Sequence, residues 1–81
     1  MKIIDVVVDN NRNIIDVIIN DDNNNFNLCI PMYKLKTCTS CEFSVSYTEF
    51  GICIEERFCN SKIIESVYGI NDILVMAGMG L

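Results

Sequence analysis

The sequence predicts an α+β domain. Its main part is an antiparallel sheet of about five strands, two hairpins plus an edge strand, able to curl into a partial barrel and followed by one late helix. Three observations predict it. β-Branched runs alternate with Asn/Asp-rich turns over the first 22 residues. A second pair of alternating segments flanks Glu49-Phe50-Gly51. After Cys59 the apolar spacing changes from a period of two to a helical one.

The first hairpin comes from an internal repeat, "IIDVVVDNN" at 3–11 and "IIDVIINDD" at 14–22. A register pairing Val6 with Val17 leaves Asn10-Asn11-Arg12-Asn13 as the loop. It gathers Ile4, Val6, Val8, Ile15, Val17 and Ile19 on one face. The opposite face is mixed: Ile3, Asp5, Val7, Asp9, Ile14, Asp16, Ile18 and Asn20. Sliding the register by one residue puts Asp on both faces, so the pattern selects the first pairing. "NDDNNN" (20–25) has the chemistry of a turn. It leads into a third strand where Phe26, Leu28, Ile30 and Met32 alternate with Asn27, Cys29 and Pro31. Pro31 donates no ladder hydrogen bond, so this strand is an edge or is bulged there.

In the second hairpin, Tyr47 pairs with Ile52, Val45 with Ile54, Phe43 with Glu56 and Cys41 with Phe58. Glu56 is the one residue out of place on that apolar face. Beyond it, Asn60 or Ser61 can cap a helix whose stripe is Ile63, Ile64, Val67 and Tyr68, with Gly69 as its stop. The run Ile73 to Ala77 is too short for its period to choose between strand and helix.

Length and composition make residues 1–81 a single small domain. With 51% apolar residues the chain can offset the entropy of ordering, which a disordered tail cannot. Thirteen isoleucines and no Trp make the core aliphatic. A net charge of −5 and six scattered basic residues do not build the basic face that phosphate binding needs, so direct nucleic-acid binding is not expected. No run reaches the ~20 apolar residues of a membrane span. Asp5 interrupts the first apolar run, unlike a signal peptide, so the expected location is the cytoplasm.

The cysteines raise a metal question. Cys38 and Cys41 form one CxxC, and Cys53 and Cys59 follow, giving the four thiols of a tetrahedral zinc site. In one strand, however, Cys53 and Cys59 stand ~20 Å apart, too far to share an ion. Cys53 also falls on the face opposite Cys41. What survives is a reduced metal set of Cys38, Cys41 and Cys59, with buried inert thiols as the simpler reading. A redox dithiol fits least, because the motif leads into a strand rather than a helix N-terminus. No cofactor is expected, with zinc as the alternative.

No enzyme is expected either. The chain has no His, which removes the usual general base and the Ser-His-Asp and Cys-His pairs. No glycine-rich phosphate loop is present. "DDNNNF" lacks the Gly and distal Glu of a calcium loop. The expected function is a non-catalytic acidic module that binds a protein partner, a basic one by charge. Its candidate contact residues are Ile3, Asp5, Val7, Asp9, Ile14, Asp16 and Ile18. That face holds more isoleucine and valine than a free solvent face requires. Ten asparagines beside the isoleucines suit a low-GC source. A phage- or plasmid-encoded inhibitor of a host defence or nucleic-acid-binding protein, acting in the host cytoplasm, is the sharper version. The apolar C-terminus favours a homo-oligomer. The alternatives are a zinc-stabilised structural module and an oligomeric binder of a nucleotide signal, the latter short of Arg and Lys for phosphate.

Overall fold

Two three-stranded antiparallel sheets replace the single five-stranded one. The computed structural model describes residues 1–37, 39–40 and 42–78. The first sheet has the order β1 (Lys2–Asp9), β2 (Ile14–Asp21), β3 (Asn24–Pro31). A 3-10 turn at Met32–Lys34 leads to the second sheet, of order β4 (Glu42–Thr48), β5 (Gly51–Arg57), β6 (Ile63–Gly69). One helix follows, α1 (Ile70–Met76). The sheets meet where Ile3 N–H donates to the Glu49 carbonyl at 2.9 Å. Their strands pair as two separate sheets and not as the partial barrel expected.

The first hairpin adopts the register read from the sequence from Asp5 to Asp9, with Val6 opposite Val17 and Val8 opposite Ile15. A β-bulge then shifts the pairing, so that Ile3 faces Ile19. The extra residue reverses the alternation at the start of β1. Ile3 turns into the core at 3% exposure, and Ile4 turns out at 40%. Both assignments are corrections: Ile4 leaves the apolar face, and Ile3 leaves the partner face. The Ile4 carbonyl accepts a hydrogen bond from the Tyr47 hydroxyl at 3.3 Å, which helps hold the bulge against the second sheet.

Asp9 Oδ1 accepts from the N–H groups of Asn11 and Arg12, each at 3.1 Å, and so nucleates the first loop. Asn13, at φ 54°, completes it. The next turn is tighter than the sequence suggests. The strands run to Asp21 and from Asn24, leaving Asp22 (φ 56°) and Asn23 as the loop. β3 is an edge strand ending at Pro31, with Leu28 and Ile30 buried, as expected. The second hairpin has the predicted register from Glu42 opposite Arg57 to Thr48 opposite Gly51, and the predicted pair of Cys41 with Phe58 lies outside the described residues.

The segment expected to be helical is the strand β6. Phe58 N–H donates to the Lys62 carbonyl and Ser61, at φ 68°, reverses the chain. Ile64, Ser66 and Tyr68 are then half-buried, while Ile63 and Val67 face solvent. The helical stripe is therefore split between two faces. β5 has a free side after pairing with β4, and a β-branched run beside it gains a full ladder by filling that side. The helix comes later and settles the tail. Gly69 N–H donates to Asp72 Oδ2 at 3.0 Å, and Ile73 is fully buried, with Ile70 and Leu74 packed beside it. Lys34 Nζ donates to the Met76 carbonyl at 2.8 Å, a cation at the helix C-terminus. No helix among the described residues is long and apolar enough to cross a membrane.

Candidate functional site

The outer face of the first sheet carries four cross-strand rows, one of them Lys2, Asn20 and Asn25 at its far end, and the other three hold the candidate residues. Asp5 lies beside Ile18 and Asn27, Val7 beside Asp16 and Cys29, and Asp9 beside Ile14 and Pro31. Six of the seven predicted contact residues therefore share one face, the bulge having removed Ile3. Val7 is exposed, and Ile14 and Ile18 are half-buried. The bulge leaves Asp5 and Asp16 on diagonal positions, as the predicted pairing had them.

Each carboxylate has a local role that leaves charge facing outward. Asp5 Oδ1 accepts from Val6 N–H at 2.9 Å, Asp9 holds its loop, and Asp16 Oδ1 accepts from the Cys29 thiol at 2.9 Å. Among the described residues the ion pairs are those of Arg57 with Glu42 and Glu55, so the three aspartates keep no cation within 4 Å. The bond to Asp16 raises the Cys29 pKa, with desolvation and the Asp16 charge adding to it and Arg12 opposing it. Cys29 is thus held as a neutral thiol, the opposite of an activated nucleophile.

The second sheet differs on its outer face. Ser46, Cys53 and Val67 form one row, and Thr48, Gly51 and Gly69 the next. With no side chains on Gly51 and Gly69, the surface sinks into a notch of about 220 Å³, lined also by Phe50, Cys53 and Val67. A Cβ on Gly51 would collide with the Tyr68 carbonyl, so close strand approach requires glycine there. Phe50 and Val67 stand 72% and 75% exposed at the rim.

A buried carboxylate lies on the inner face, at the position that interrupted the apolar pattern. Glu56 is 0% exposed. Its Oε1 accepts from the Thr37 N–H at 2.9 Å and from the Thr37 hydroxyl at 3.0 Å. Its Oε2 has no hydrogen-bond partner among the described residues. Glu56 thereby latches the segment after the 3-10 turn onto β5. Next along that segment, the Lys36 ammonium sits 5.1 Å from the centre of the Phe43 ring. Sequence reading noticed Glu56 as an exception and assigned it no role, because its partner Thr37 is 19 residues away.

Of the metal set, Cys38 and Cys41 lie outside the described residues. Cys59 is disulfide-bonded, which takes its sulfur out of a thiolate set. Cys29 and Cys53 are free and sit on the outer faces of different sheets. Among the described residues no three His, Cys, Asp or Glu side chains cluster as metal ligands.

Comparison with protein-family models, curated proteins and solved structures finds no match for this chain.

Proposed function

We propose that this chain is a non-catalytic, acidic protein-binding module that engages a basic protein through the outer face of its first sheet. The observation that supports this most directly is the alternation of unpaired carboxylates with apolar side chains on one rigid face: Asp5, Asp9 and Asp16 among Val7, Ile14 and Ile18. The apolar residues supply area to bury, and the carboxylates steer a cationic surface and fix its orientation. The sheet beneath is anchored by fully buried side chains, so the face is preorganised and little is lost in ordering it. The sharper reading, a phage- or plasmid-encoded inhibitor of a host defence or nucleic-acid-binding protein, draws its support from the net charge of −5 and the Ile- and Asn-rich composition.

The test is capture from a low-GC bacterial lysate, with the native chain and a Val7→Lys, Asp5→Lys variant run in parallel. A basic protein retained by the native chain, lost by the variant and released by salt is the expected result. Capture that is indifferent to both the variant and salt would overturn the reading.

A further inference from the structure

Each sheet has two edge strands; β1 and β4 lie against each other through the Ile3–Glu49 and Tyr47–Ile4 hydrogen bonds, and the other two, β3 and β6, are built differently. β3 is blunted: its outward residues include Asn25, Asn27 and the terminal Pro31. β6 carries none of these protections. It pairs with β5 from Ile63 to Gly69 with no register shift and contains no Pro, Lys or Arg. Its outward residues are Ile63, Glu65, Val67 and Gly69, with Ile63 and Val67 well exposed. A regular edge with two exposed apolar side chains and a single carboxylate, Glu65, is a template for another strand.

We infer that β6 is a dimerisation strand, pairing antiparallel with β6 of a second copy of this chain to make one continuous six-stranded sheet. The strand's own side chains select a second copy as the occupant, since its exposed Ile63 matches the gap that its Gly69 leaves. The rows at the Gly69 end (Ser46, Cys53 and Val67; Thr48, Gly51 and Gly69) carry no carboxylate or cation, while the next row holds Glu55 and Glu65, so the register must keep those acids from opposing their own copies. The aspartate-bearing face of the first sheet could not meet its own copy in this way.

Side-chain chemistry also selects the register. A two-fold axis perpendicular to the sheet pairs residues of the same face, so the axis passes midway between the two copies of one residue, which pairs with itself. Centring it on Glu65 sets like charges directly opposite one another. Centring it on Val67 points the second copy's Glu65 at the apolar notch. Centring it on Ser66 avoids both. Val67 then faces the second copy's Glu65, and Gly69 faces the second copy's Ile63, whose side chain enters the notch over Gly51 and Gly69. The missing side chain at Gly69 and the exposed one at Ile63 become complementary parts of one contact. This surface is separate from the acidic face, so the two readings stand or fall independently.

The experiment is sedimentation analysis of the full chain from about 1 μM to about 1 mM, a range that brackets ordinary homodimer affinities. The native chain is expected to dimerise. Val67→Glu faces the second copy's Glu65 and weakens association by about tenfold or more. Val67→Lys faces the same Glu65 and retains the dimer. Gly69→Val fills the notch and weakens it. Val67 is exposed, so thermal melts of both Val67 variants at low concentration should match the native monomer and separate misfolding from lost association. A chain that stays monomeric at every concentration overturns the inference. So does a dimer that Val67→Lys disrupts as strongly as Val67→Glu, or one that ignores all three substitutions.

Discussion

The two sheets contribute unequally to one core. The first buries six aliphatic side chains almost completely: Ile3, Ile15, Val17, Ile19, Leu28 and Ile30. The second buries two, Ile52 and Ile54, and beside them a carboxylate, Glu56. Sheet one is held by close-packed hydrocarbon, and it can carry acids on its outer face because its inner face needs no polar help. Sheet two depends on the central strand β5, on a polar latch to Thr37 and on two glycines that let strands approach. Its stability is therefore more directional, and its outer surface is neutral and notched.

The sharpest way to break this contrast is in the packing. Ile15→Ala should cost about 3–4 kcal/mol, measured by urea unfolding, because the site is fully enclosed. Ile63→Ala, on the exposed side of β6, should stay within about 0.5 kcal/mol at concentrations where the chain is monomeric.

Next comes the latch. Glu56→Ala should cost about 2–3 kcal/mol and speed amide exchange at Thr37, since two donors lose their acceptor in a buried place. Glu56→Gln keeps an acceptor oxygen there and should cost less than about 1 kcal/mol. Equal losses in the two variants would show that charge, and not the hydrogen-bond acceptor, holds the loop.

The glycine pair gives a smaller contrast. Gly51→Ala forces a side chain against the Tyr68 carbonyl and should cost about 1–3 kcal/mol. Gly69→Ala meets only Asp72 Oδ2, at 3.8 Å, and should change the urea midpoint little.

The smallest effect is at Cys29. Its folded pKa is raised, so the neutral thiol is the form the fold favours. The associated stability is present below the ordinary thiol range and is lost as pH rises through the raised folded value. Alkylation of Cys29 near pH 8 should be slower than that of an unstructured cysteine peptide, and Asp16→Asn should speed it.

The hairpins were legible because period-two alternation leaves only one register with a clean face. The repeat at 3–22 and the pairing of Val45 with Ile54 both follow from that. The bulge at Ile4 was not legible, since "KIIDVVVD" alternates equally well in either phase at its start. The helix was expected in the wrong place for a related reason. Ile63, Ile64, Val67 and Tyr68 satisfy a helical stripe, yet the same residues serve β5 better as a strand. Six of the seven candidate residues share one sheet face, and Ile3 is the residue the bulge turned inward.

By itself the sequence determined the strand-rich class, the first hairpin's register from Asp5 to Asp9, the second hairpin's register, and the acids interleaved with apolar residues. These depend on neighbours a few residues apart, where side-chain chemistry acts alone. Only the tertiary structure decided which of Ile3 and Ile4 is buried, that residues 63–69 are a strand, that Glu56 finds Thr37, and that Gly51 and Gly69 meet to open a notch. Each of these depends on what lies across a gap in the chain, and no local pattern encodes the identity of a distant partner.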